Sequence, residues 1–123
     1  MTNKLEFSTN WNGKLHTVVF STLRASARFE IGDRVEVLLE GKYLGLAECI
    51  YKHRYSHIYE IPEALCFLDT GYNQEETGNI VARMYKTAAT NQPLYYYLFK
   101  WVQTANAKKD LKKQVQIELP LLI

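Results

Sequence analysis

The stretch T-V-V-F-S-T-L-R at residues 17–24, followed by F-E-I-G-D-R-V-E-V-L-L-E-G-K-Y-L-G at residues 29–45, decides how the rest of the chain is read. The first part is rich in β-branched and aromatic residues, which favour a pleated, packed surface, and it predicts a strand over Lys14–Leu23. Side chains alternate across a strand, so Thr17, Val19, Ser21 and Leu23 share one face and Val18, Phe20, Thr22 and Arg24 the other. Neither face is uniformly polar, which predicts a central strand. Its end carries a polar cluster, Ser21, Thr22 and Arg24, the first candidate site. Gly32-Asp33 signals a turn. After it Val35, Val37 and Leu39 alternate inward against Arg34, Glu36 and Glu40, and Gly41-Lys42 closes a hairpin. The return strand runs from Tyr43 to about Tyr51 and includes Gly45 and Ala47, small residues that permit close approach.

Upstream, residues 1–13 read as an irregular lead-in with a short strand at Leu5–Phe7, packed down by Trp11. Downstream, K-H-R-Y-S-H-I-Y at residues 52–59 mixes polar and aromatic residues and is expected to leave the sheet. Pro62 suits the first turn of a helix to Leu68 or Asp69, with Gly71 as its stop. Asn73 followed by Glu76 has the spacing of a capping box and opens a helix to about Lys86, with Ile80, Val81 and Met84 as its apolar stripe. Leu94–Val102 is the most aromatic run, read as a strand, with a helix as its rival after Pro93. In a strand Tyr95, Tyr97, Phe99 and Trp101 share a core-facing side and Tyr96 faces the other way. Ala105–Gln114 is helix-compatible and basic, Val115–Leu119 suits a short strand, and Leu119–Ile123 is apolar. This order predicts an α+β domain with a mostly antiparallel sheet or small barrel and segregated helices.

At 123 residues, 47% hydrophobic and 23% charged, the chain has the size and composition of one globular domain. The net charge of +2 is too small to mark a nucleic-acid protein, and it is local. Residues 103–123 carry four lysines against two acids, and the remainder carries eleven of each sign. Cys49 and Cys66 sit in apolar surroundings and form no C-x-x-C pair, which predicts reduced thiols and a cytoplasmic setting. The opening M-T-N-K-L-E-F lacks an apolar core, so no signal peptide is expected, and no run is long enough to span a membrane. His16, His53 and His57 show no third partner at ligand spacing, so neither a metal nor another cofactor is expected.

Taken together, Thr22-Leu23-Arg24, Gly32-Asp33, the hairpin Val35–Ile50, the helical insert Ile61–Tyr85 and the closing strand Leu94–Val102 resemble the ASCH domains of the PUA-like superfamily. The resemblance covers about residues 14–102, leaving the lead-in and the basic, then apolar, tail outside it. It implies a PUA-like β-barrel of five to six mostly antiparallel strands with two to three helices, and a role in binding RNA or a modified nucleotide. Some small members resemble acetylcytidine amidohydrolases with the pattern G-x-K-T-x-T-x-R. On that pattern Thr22 takes the place of the catalytic Thr, Arg24 that of the Arg, and Asp69 that of the carboxylate. The catalytic Lys falls on Val19, a departure, and Lys14 lies too far along the expected strand to replace it.

Three functions follow as expectations. The first is a binding pocket built from Ser21, Thr22 and Arg24, with Lys52, His53, Arg54 and Tyr55 nearby to hold phosphate and stack a base. The second is a hydrolase of an acylated nucleoside using Thr22 and Asp69, with no desolvated lysine to serve as base. The third is a protein-interaction domain using Leu119–Ile123. Residues 108–113 offer a lysine cluster for RNA contact on the first of these.

Overall fold

The computed structural model describes residues 3–104. The expectations for the basic segment, the short strand and the apolar end at 105–123 lie outside the described residues. Five strands form one sheet: β1 (Asn3–Phe7), β2 (Val19–Arg24), β3 (Arg34–Leu39), β4 (Lys42–Tyr55) and β5 (Leu94–Thr104). Their order is β1-β3-β4-β5-β2. Only β1 and β3 run parallel; the other pairs are antiparallel. Two α-helices, α1 (Glu63–Thr70) and α2 (Gln74–Tyr85), lie between β4 and β5 in sequence. The class is therefore α+β with a curled, barrel-like mixed sheet. Among the described residues no backbone ladder joins β1 to β2, so the curl stays open along a seam between these two strands.

Two apolar clusters hold the sheet. Leu5, Phe7, Phe20, Phe29, Val35, Val37, Tyr97 and Phe99 fill the inside of the curl. Phe20 stacks on Phe99 at 5.6 Å, and Phe29 meets both Tyr97 and Phe99 edge-on. The other face carries Leu23, Tyr96 and Leu98, which pack with Ile58, Ile61, Cys66 and Val81 of the helical segment. Tyr96 is fully buried there and its hydroxyl donates to the Leu65 carbonyl at 3.1 Å. Among the described residues no helix is long and apolar enough to cross a membrane.

Several sequence expectations appear directly. The Asn73–Glu76 capping box opens α2, and Gly71 ends α1 in the left-handed region at φ 82°. The hairpin turns at Glu40 and Gly41, both with positive φ. At Gly45 a side chain would strike the Gln103 carbonyl, and β3 and β4 change register beside it. Of the α2 stripe, Ile80 and Val81 are buried but Met84 is exposed.

Four expectations are corrected. The strand expected from Lys14 begins only at Val19, because Trp11–His16 forms 3₁₀ turns broken by left-handed Asn12 (φ 57°) and Gly13 (φ 64°). Among the described residues that strand is an edge rather than central, pairing with β5 alone. It read as central because both its faces are covered, one by the curl's interior and one by α1. Residues Lys52–Tyr55 stay in the sheet as the end of β4, paired with Tyr97 to Leu94. Their polar pattern arose because His53 and Arg54 remain exposed although their backbone is paired. Finally, the short strand expected at Leu5–Phe7 is present as β1, but it does not lie outside the barrel-like body: it pairs with β3 over five positions.

Candidate functional site

The seam between β1 and β2 is where polar groups gather. Its organiser is the irregular segment before β2. Asn10 accepts the Leu15 amide on its side chain at 2.9 Å, and Gly13 N–H donates to the Asn10 carbonyl. The left-handed pair Asn12-Gly13 then turns the chain so that Lys14 points inward. Asn12 donates its side-chain amide to the Phe67 carbonyl of α1 at 3.2 Å, and the bare Cα of Gly71 leaves room for Asn12. The turn and the C-terminal end of α1 are thereby clamped together, and Asp69 on α1 faces Lys14.

The result is a buried ion pair. Lys14 Nζ lies 2.9 Å from Asp69 Oδ1, and both side chains are 5% exposed. Ser21 Oγ donates to the same Asp69 oxygen at 2.8 Å. Burial pulls the Lys14 ammonium below its ordinary range, an effect that Asp69 opposes and nearby Arg24 adds to. The correction for function is direct: a desolvated lysine does stand at this site, five residues upstream of Val19. It arrives from the turn and not along the strand.

On the inner face, Arg24 Nε donates to Thr22 Oγ1 at 2.9 Å and its Nη2 to the Glu6 carbonyl at 2.9 Å. Arg24 thus spans the seam that no backbone ladder closes. Its guanidinium lies 4.8 Å from the Phe7 ring centre, and the Lys14 amine 5.3 Å from the same ring. These groups surround a cavity of about 100 Å³, walled also by Trp11, Thr70 and Tyr85. Behind it the hydroxyls of Thr70 and Thr77 bond to each other at 2.8 Å.

Unused hydrogen-bonding capacity remains. Both bonds to Asp69 use Oδ1, and among the described residues no fully buried side-chain polar atom lacks a partner. Asp69 itself lines the cavity. An ammonium has three donors, and among the described residues Lys14 uses one.

Of the sequence candidates, Ser21, Thr22, Arg24 and Asp69 come together. Lys52, Arg54 and Tyr55 lie on β4, across β5 from them. The pairing rows run Thr22–Tyr97–Lys52 and Arg24–Tyr95–Arg54, so Lys52 and Arg54 share the inner face two strands away, roughly 10 Å at ordinary strand spacing. Lys52 is ion-paired to Glu30 at 2.7 Å and lies over the Tyr95 ring at 5.5 Å. Tyr55 packs on the helical side. Lys14, Phe7 and Trp11 were missed as site residues. The Asn12-Gly13 dipeptide was the available signal, since it marks a turn and so breaks a strand read through Lys14. Among the described residues no group of three or more His, Cys, Asp or Glu side chains is placed to hold a metal.

No protein-family model matches the chain, and no curated protein matches its sequence. The fold is similar to that of protein EF3133 from Enterococcus faecalis V583, a crystal structure described with the family model DUF984. The TM-score is 0.65 over 86% of this chain and 84% of that one, at 8% sequence identity. At that identity the likeness is one of fold.

Proposed function

We propose that the chain is an ASCH-type, PUA-like binding module whose seam cavity takes the base of a modified nucleotide, free or in RNA. The observation that carries this reading is the Lys14–Asp69 pair at the cavity floor. Burying two charges costs several kcal/mol per ion before their attraction is counted, so such pairs are poor devices for stability alone. Here the pair also leaves ammonium donors beside a carboxylate acceptor, a donor–acceptor edge of the kind a nucleobase presents in reverse. The Phe7 ring adds an aromatic wall. A cavity of about 100 Å³ suits one small planar group and not a polynucleotide strand. A strand would instead follow the inner-face row of Arg24, Tyr95 and Arg54. Titration with short RNAs and with free nucleosides, N4-acetylcytidine among them, tests this. Saturable binding that weakens with salt for RNA, and falls at least tenfold in Arg24→Ala, is expected. Absence of binding, or binding indifferent to Arg24→Ala, would sink the reading.

A second reading, hydrolysis of an acylated nucleoside, is favoured by one observation: a lysine with a lowered pKa shares the cavity with Thr22. In that reaction the Thr22 oxygen attacks the acyl carbon and its proton passes to the neutral Lys14 amine. The amide C–N bond then breaks as Lys14 returns the proton to the leaving nitrogen. Water next cleaves the threonine ester, releasing the acid and restoring the hydroxyl. Lys14 bonds Asp69 and not Thr22 in the resting arrangement, so the amine must shift toward Thr22 on binding. Acetate release from N4-acetylcytidine that stops in both Thr22→Ala and Lys14→Met is expected; turnover surviving either change rules this reading out.

A further inference from the structure

We infer that the ligand site is bipartite, and that a second, more open cavity takes the sugar and phosphate of the nucleotide whose base enters the seam. This rests on the nucleobase reading of the seam cavity. The second cavity, about 310 Å³, is lined by Trp11, Tyr72, Glu76, Asn79, Ile80 and Arg83. Trp11 and Ile80 line both cavities, so the two adjoin, with Trp11 standing between them. Trp11 is held upright there by an edge contact with Tyr72, ring centres 6.2 Å apart at 73°.

The chemistry of the two halves differs in the way a nucleotide does. The inner cavity has a buried donor–acceptor pair and an aromatic wall, suited to a base. The outer one has exposed Arg83, whose side chain makes no ion pair or hydrogen bond among the described residues, so its guanidinium donors are available. A guanidinium with free donors is the side chain that binds a phosphate in a two-pronged manner. The acid in the same groove is restrained: Glu76 accepts the Asn73 amide in the capping box at 3.4 Å. It sits seven residues before Arg83, roughly 10 Å of helical rise away. The open groove also lets a phosphate keep part of its hydration, which an enclosed cavity would strip.

The experiment compares affinities of the full chain for the common nucleosides and N4-acetylcytidine with those for their 5′-monophosphates. At least one monophosphate is expected to bind about tenfold more tightly than its nucleoside. Arg83→Gln should bring the monophosphate down to the nucleoside's affinity, and Trp11→Ala should weaken both. Lys86→Gln, which removes a positive charge just past the end of α2, serves as the control for general charge and should change neither affinity. Equal affinities for nucleoside and monophosphate, or a phosphate preference that survives Arg83→Gln, overturn the bipartite site while leaving the base pocket standing. Failure of every nucleoside and monophosphate to bind overturns the base pocket itself.

Discussion

Phe20 and Thr22 are two residues apart on one face of β2, yet they belong to different regions. Phe20 sits among Phe7, Phe99 and Trp101 and meets all three rings. Thr22 sits at the seam, where single hydrogen bonds connect Arg24 to Glu6, and Lys14 and Ser21 to Asp69. The interior is redundant and apolar, and it is what a fold needs. The seam is specific, charged and incompletely closed, and it is what a site needs. Among the described residues no backbone ladder joins β1 to β2, and the cavity lies at that seam.

The largest effect should come from the interior. Phe99→Ala is expected to lower stability by about 3–5 kcal/mol, the usual cost of emptying an aromatic core position, as read by denaturant unfolding. The seam should be nearly as sensitive, but for the opposite reason. Asp69→Leu leaves the Lys14 charge buried without its partner, with an expected loss of about 3–5 kcal/mol. If that loss were below 0.5 kcal/mol on the same assay, roughly the noise of a surface substitution, the pair would be no buried pair in solution.

A smaller effect marks the boundary between the regions. Burial pushes the Tyr96 hydroxyl up to about 12, and the Cys66 thiol up to about 11. Both groups are held neutral in the folded state and ionise more easily when unfolded. Their contribution is fully present below the unfolded values near 9 and 10 and is lost as pH rises through the folded ones. Stability should therefore fall between about pH 9 and 12, and Tyr96→Phe should flatten the upper part of that decline. An unchanged slope in Tyr96→Phe would place the hydroxyl in water.

Much of the fold was legible in sequence because it rests on local chemistry. The Asn73–Glu76 box, the Gly71 stop and the Gly41 hairpin each need particular residues at particular positions. The alternation of Tyr95, Tyr97 and Phe99 gave the inner face of β5. Edges were not legible. A strand's pattern reports what covers its faces, and β2 has both faces covered while, among the described residues, one side has no strand partner. The site was half legible: Ser21, Thr22, Arg24 and Asp69 do converge. Lys14 was not, since its position depends on a left-handed pair at Asn12 and Gly13 that the β-branched run from Thr17 masks. Lys52 and Arg54 carry the right chemistry, but their distance from Thr22 and Arg24 is set by the interposed β5, which only topology reveals.

The most direct test is the double substitution Lys14→Met with Asp69→Leu, followed by unfolding and by nucleoside and RNA titration on the same sample. It exchanges the buried ion pair for an apolar pair of similar volume, a change that often leaves stability equal or higher. If the pair exists for a ligand, the variant should unfold at the wild-type denaturant concentration or above and lose at least tenfold in binding. A variant that binds as the wild type does and unfolds several kcal/mol more easily would make the pair a structural fastening and contradict the site.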